Sequence, residues 1–468
     1  MGKNEIDMTE GPLLGKMVRF TLPLVASGML QLLFNACDTM VVGKFVGDSA
    51  LAAVGSNGAL ISLLIGLFMG VSVGANVLVA QFYGAKRQRD IEEVVHTAFL
   101  IAVIFGVGLT AIGIAFAPLF LRWTGVPEDV IGQSTRYLRI YFLGCVFSLV
   151  YNFMAAILRA IGDTRRPLII LTIAGVVNLM LNLLLVIGFG MDVEGVAIPT
   201  VVSQFVSAGL VVLILTREKS IVRLDLRRIR IVPDKLKKML RIGIPSGLQG
   251  IVFSLSNVLI QSSVNSFGKY VMAGVTAANN LEGFVYQAMN AFHHTALNFT
   301  GQNVGAVKPK RIIGVYWRAA LLVTAIGATM GGLIWFFGPK LLTIYTTTDQ
   351  SIAAGMTKLM YVCAPYFICG LMDVSSGMVK GLGASIIPMV TALTGSCLFR
   401  ILYLYTFFAA NRTLETLYLV YPISWTITAV AHLICFLILF RRIKKRWAKG
   451  RESLDAQRKR HALQKSAD

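Results

Sequence analysis

Charge is scarce in this chain of 468 residues, and acid is the scarcer sign: 14% of residues are charged, with 23 Asp and Glu against 44 Lys and Arg. No polar segment is long enough to fold as a soluble domain. The net charge of +21 therefore does not mark a nucleic-acid surface, which needs such a domain to present it, and no nucleic-acid partner is expected. The six cysteines (Cys37, Cys145, Cys363, Cys369, Cys397, Cys435) all fall inside apolar runs, without CxxC or Cys/His spacing, which speaks against disulfides and structural zinc. Only five histidines occur. The adjacent pair His293-His294 points about 100° apart on a helix, a poor chelate.

Apolar length is what the chain has in abundance. A hydrophobic content of 56% and a mean hydropathy of +0.70 predict an all-α polytopic membrane protein. Twelve apolar spans can be counted, at 17–43, 53–83, 94–117, 137–158, 167–189, 194–215, 238–264, 273–304, 317–339, 355–379, 387–409 and 417–440. They average about twenty residues or more, enough to cross about 30 Å of hydrocarbon. The tails and the loops after even-numbered spans hold about 35 Lys and Arg. The opposite face holds about 8 (Lys44, Arg122, Arg136, Arg139, Lys269, Lys340, Lys358, Arg412), and Arg400 alone is left inside a span. The positive-inside rule assigns the richer face to the cytoplasm, so both termini are expected there, in a bacterial cytoplasmic (inner) membrane with lipid as the surrounding partner. Residues 1–15 are polar and mixed in charge, and the apolar stretch that follows is too long for a cleavable signal, so span 1 is expected to act as an uncleaved anchor.

The chain also repeats itself at a spacing of 221–222 residues. Pro23 matches Pro245, Asn35 matches Asn257, and Gly47 matches Gly268. Gln81, Gly84 and Ala85 match Gln302, Gly305 and Ala306, and Gly162 and Pro167 match Gly383 and Pro388. Each half holds six spans, an even number, so both enter the membrane in the same orientation. That predicts twelve transmembrane helices in two six-helix lobes related by a parallel internal repeat, with a cavity between them. The expected domains are an N-lobe at 1–216, a basic linker at 217–237, a C-lobe at 238–440 and a basic tail at 441–468, with linker and tail on the cytoplasmic side. The linker is expected to lie on anionic headgroups as a tether.

Asp38 stands out among the spans. It shares one helix face with Gln31 and Asn35, at spacing i, i+4, i+7. A carboxylate at membrane depth costs several kcal/mol unless it faces a cavity or a partner, so its default reading is an ion or proton site and the chain's default reading is a transporter. Loss of hydration favours its neutral form, so it can take a proton on one side and release it on the other. No nucleophile–base pair or metal cluster is visible, so neither an enzyme nor a bound cofactor is expected.

Two lobes of six spans, an acid in span 1, the segment Leu158-Arg-Ala-Ile-Gly-Asp-Thr-Arg-Arg-Pro-Leu168 and the segment Gly301-Gln-Asn-Val-Gly-Ala306 together resemble the MATE (multidrug and toxic compound extrusion) family. The likeness covers roughly residues 15–440. It implies export of organic, often cationic, compounds in exchange for H⁺ or Na⁺. It also implies a cation-coupling site at Asp38, Asn178, Asn182 and Thr200, the same residues that would hold Na⁺. NorM-type members carry a glutamate in span 7 past the proline. Here Pro245 is followed by Ser-Gly-Leu-Gln-Gly-Ile-Val-Phe-Ser, which resembles the DinF-type branch instead.

The second half supplies further candidates for the cavity or the substrate: Asn257, Glu282, Tyr286, Gln287, Tyr366 and Asp373, beside Gln31 and Asn35 from span 1. Charge inside a span needs an explanation, which singles out Glu282 and Asp373, with Arg400 a candidate partner for the latter. The tyrosines offer cation–π faces, although packing is the commoner use. The Gly301-xxx-Gly305 spacing, like Ala80-xxx-Gly84, suits close helix packing. With Arg400 the only deep basic residue, the cavity is expected to be neutral to acidic. The expected function is a cation-coupled antiporter that works as a monomer by alternating access on small organic substrates. The runner-up, a flippase for a lipid-linked sugar or other amphiphile, would need a strongly basic cavity.

Overall fold

The computed structural model describes residues 5–218 and 220–465. Among them every regular element is helical, as lipid requires: a helix satisfies its backbone groups internally where no water is available. The N-lobe holds α1 (Leu13–Phe45), α2 (Asp48–Gly84), α3 (Gln88–Trp123), α4 (Glu128–Leu143 with Cys145–Ala160), α5 (Arg165–Gly188) and α6 (Glu194–Arg217). The C-lobe holds α7 (Pro233–Asn265), α8 (Lys269–Gly305), α9 (Pro309–Phe336), α10 (Asp349–Cys363 with Tyr366–Gly381), α11 (Ile386–Phe408) and α12 (Leu414–Lys465). Among the described residues nine helices are long and apolar enough to cross a membrane, or eleven with each bent pair counted as one. The remaining helix, α8, has 37 residues and is largely buried against its neighbours; Asn279, Asn280, Glu282, Gln287 and Asn290 dilute its apolar character.

The repeat extends to backbone detail. α4 bends by 46° at Gly144 and α10 by 40° at the matching Pro365. Lys86 and its counterpart Val307 both adopt positive φ (57° and 55°), a conformation non-glycine residues rarely take. Such strain at paired turns reflects one turn geometry used twice.

The lobes meet backbone to backbone at the end that carries the basic loops. A methyl added at Gly84 would sit 1.9 Å from the Gln302 carbonyl oxygen, and one at Gly305 would sit 1.8 Å from that of Gln81. Only glycine permits this approach. Two reciprocal hydrogen bonds join the lobes there. Gln81 Nε2 donates to the Gly381 carbonyl (2.9 Å), and its repeat partner Gln302 Nε2 donates to the Ala160 carbonyl (2.8 Å), so each glutamine satisfies an orphan carbonyl at a helix end of the other lobe. Hydrophobic packing crosses over as well. Met17 and Phe20 at the start of α1 join the C-lobe core, while Met239 and Ile242 at the start of α7 join the N-lobe core. The segment before α1 seals the seam: Met8 is fully buried, its N–H donates to Gln302 Oε1 (3.1 Å) and its carbonyl accepts from Asn303 Nδ2 (3.0 Å).

The linker is seated on protein as well as exposed. Val222 and Leu224 are buried in the N-lobe core. Asp225 N–H donates to His96 Nε2 (3.0 Å) and Val232 N–H to Thr97 Oγ1 (3.1 Å). Lys235 pairs with Asp90 and Glu93 of α3. In the α4–α5 turn, Asp163 Oδ1 accepts from the N–H groups of Arg165 and Arg166 (both 3.1 Å) and so starts α5.

Candidate functional site

Asp38 lies on α1, half-buried, facing α5. Asn182 Nδ2 donates to its Oδ1 at 2.5 Å. With its amide turned to face the carboxylate, Asn178 donates to the same oxygen at 2.9 Å and accepts from the Thr200 backbone N–H at 3.3 Å. Asn178 and Asn182 are one helical turn apart and both buried, so the two amides reach one carboxylate from one face. Directly after Asn182 the helix loosens into a π-turn, Leu184–Gly188, a feature frequent at functional sites. Asn182 Oδ1 is buried without a partner. The Thr200 hydroxyl is spent on its own helix, donating to the Val196 carbonyl (3.0 Å), so only the backbone of that residue reaches the cluster. Val41, Val42, Val186, Val196 and Tyr137 form the apolar wall alongside.

The C-lobe holds a cavity of about 630 Å³, within the range that takes a drug-sized molecule. It opens where the tight interlobe contact of Leu67 with Gly247 ends. Asn257, Glu282, Tyr286, Tyr366 and Asp373 all line it. Gln31, Asn35 and Gln287 do not. Gln31 lines a separate cavity of about 370 Å³ with Arg159, His293 and His294, Asn35 is exposed on α1, and Gln287 packs against Gly28 of α1.

The cavity is neutral on balance, Glu282 and Asp373 against Lys358 and Arg400, but the expectation that Arg400 is the only deep basic residue needs correction. Lys358, assigned to an outer loop on charge alone, lies well inside α10, buried, with Nζ 2.8 Å from Glu282 Oε2 and a further hydrogen bond to Asn279. Lys380, assigned to the cytoplasmic loop, is buried in the last turn of α10, and its repeat counterpart Arg159 lines the smaller cavity. Long basic side chains near helix ends can turn inward when a cavity admits them, and a hydropathy profile places them outside. Glu282 is engaged by Lys358 and by the Tyr366 hydroxyl (3.3 Å). Arg400 does not pair with Asp373. Its donors go to Ser424 Oγ (3.0 Å), Ser256 Oγ (3.2 Å) and Asn257 Oδ1 (3.1 Å).

The arrangement has known counterparts. The MatE family model matches the chain twice, over residues 23–184 and 245–406, once in each lobe. The chain is similar to the probable multidrug resistance protein YoeA of Bacillus subtilis, at 29% identity over 384 residues, covering 81% of this chain and 83% of that protein. It is also similar to the probable multidrug resistance protein NorM of Thermotoga maritima, at 24% identity over 396 residues, covering 83% and 84%. Among solved structures, an outward-facing multidrug resistance MATE family transporter of the MOP superfamily shares the fold, with a TM-score of 0.89 at 20% identity, covering 95% of this chain and 99% of that one. The chain belongs to the MATE family and is an integral membrane transporter, not an enzyme.

Proposed function

We propose that this transporter exports organic compounds carrying positive charge in exchange for H⁺ or Na⁺, with Asp38 as the coupling group and the C-lobe cavity as the substrate site. The observation that carries this reading is the half-buried carboxylate of Asp38, held by two amides and paired with no cation among the described residues. H⁺ is the favoured ion, since no acid follows Pro245 within α7 to build a NorM-type second cation site. Na⁺ is the alternative, for which Asp38 and the unpartnered Asn182 Oδ1 supply hard oxygen donors. The absent acid also favours the DinF-type branch.

The lobes are joined at the end with the basic loops and admit a cavity at the other. By the positive-inside rule this is an outward-facing arrangement with both termini cytoplasmic. Protonation of Asp38 weakens its hold on α5, and a closed, inward-facing alternative follows from rocking of the lobes. The flippase reading is not favoured: Glu282 offsets Lys358, and Asp373 offsets Arg400, so the cavity is not strongly basic.

The test uses the purified protein in liposomes, a cationic dye, and an imposed pH or Na⁺ gradient. The gradient that drives dye movement names the coupling ion, and Asp38→Asn is expected to abolish that movement. Wild-type indifference to both gradients, or normal transport by the variant, would sink the proposal.

A further inference from the structure

Arg400 is a buried guanidinium without a counter-ion. It is 2% exposed and sits on α11 in the wall of the C-lobe cavity. Its three hydrogen bonds go to two hydroxyls and an amide oxygen, Ser424, Ser256 and Asn257. The Tyr421 ring covers one face, 4.5 Å from the guanidinium carbon. No carboxylate lies within ion-pairing distance among the described residues, and Nη2 makes no hydrogen bond to them. Arginine cannot shed its proton to escape this cost. Charge inside the membrane is expensive, and structural charges there are paired; Lys358 in the same cavity obeys that rule through Glu282. Asp373 is held more loosely than Glu282. Its carboxylate lines the cavity with no hydrogen bond or ion pair at contact distance among the described residues, and the buried Lys380, two turns further along α10, acts on it only through space. One cavity thus holds an unpaired cation and a carboxylate that do not pair with each other.

We propose that Arg400 is an oxyanion subsite and that the compounds carried are amphoteric, with a carboxylate, sulfonate or phosphate on Arg400 and a cationic group on Asp373. This rests on the cavity being the transport site, and narrows its substrates from cations to molecules of mixed charge. The neutral partners occupy Nε and Nη1 without satisfying the charge, which leaves the Nη2 hydrogens to donate to an oxyanion in a charge-assisted contact. Tyr286, Tyr366 and Trp425 supply flat apolar walls for the body of the molecule. The same oxyanion chemistry is available from a lipid headgroup, so the test separates the two sources.

Rhodamine 110, a free acid, and rhodamine 123, its methyl ester, differ at the carboxyl group alone. Fluorescence anisotropy with the full-length protein in detergent measures the affinity of each without any gradient, so a failure of ion coupling leaves this result readable. Wild type is expected to prefer the acid. Arg400→Gln is expected to lower acid affinity about ten-fold more than ester affinity, the effect of one charge-assisted hydrogen-bonded contact. Arg400→Lys, which keeps the charge, is expected to retain part of the preference. Equal affinity of wild type for the two dyes, preference for the ester, or an equal loss of both in Arg400→Gln overturns the proposal. If Arg400→Gln does not fold, the wild-type comparison and Arg400→Lys decide alone. Liposome uptake of the acid supports a transported compound. Displacement of the acid by phosphatidylglycerol, with no uptake, assigns the subsite to lipid and overturns it.

Discussion

In the N-lobe the carboxylate of Asp38 meets two asparagines of α5; in the C-lobe the matching level of α11 carries a guanidinium instead. Arg400 binds Asn257, the repeat partner of Asn35, so the same two helices are joined in both lobes, α1 to α5 and α7 to α11. The scaffold is common down to its bends and strained turns, and the charge placed in it has opposite sign. A carboxylate can be neutralised by an ion from water, whereas an arginine keeps its charge throughout. One scaffold thus yields a lobe that can switch and a lobe whose polarity is permanent, and transport needs both.

Substitutions sharpen that contrast, beginning with the largest effect. Asp38→Asn is expected to reduce gradient-driven dye movement to the level of empty liposomes, since it removes the only acid of the N-lobe cluster. Lys358→Met leaves the half-buried Glu282 without its cation and is expected to cost about 1–3 kcal/mol, read as a lowered thermal midpoint of the purified protein; adding Glu282→Gln is expected to recover most of it. No ion pair of this kind supports Asp38, so Asn182→Ala is expected to cost only about 1 kcal/mol of stability. Gly305→Leu forces a side chain into the backbone of α2. It is expected to cost at least about 1–3 kcal/mol and to weaken cross-linking between the lobes at the basic end. The smallest effects test the symmetry itself. Gln81→Ala and Gln302→Ala each remove one interlobe hydrogen bond, about 1 kcal/mol, and similar shifts from the two would show that both halves of the seam carry equal load. A markedly larger loss from Gln302→Ala would instead credit its added bond to Met8.

Much of this was legible before any coordinates. Apolar length locates the helices, and the 221–222 spacing predicts the paired lobes, because identical turns need identical residues. Asn178, Asn182 and Asp38 lie within hydrogen-bonding reach of one another, whereas the Thr200 hydroxyl stays on its own helix. Helical spacing tells which residues share a face but not what that face meets. Gln31 shares a face with Asp38, yet it enters the smaller cavity, because α1 crosses from its own lobe onto the other. Gln287 is turned away from its neighbour Tyr286 toward Gly28, a contact set by lobe packing. Lys358 shows where charge counting misleads: it lies inside span 355–379, yet its charge alone places it with the loops. Arg400 was visible as a lone cation in an apolar run, but its neutral company of Ser256, Asn257 and Ser424 comes from three helices and has no sequence signature.

The central claim is that substrate in the C-lobe cavity and a proton on Asp38 compete through the lobe arrangement. Its most direct test is proton release on substrate binding, read with a pH indicator in weakly buffered detergent solution as rhodamine 123 is added to the purified protein. Reciprocity of linked binding predicts that wild type releases protons as the dye binds and that Asp38→Asn releases none. Equal release from both proteins, or none from wild type, would contradict the account.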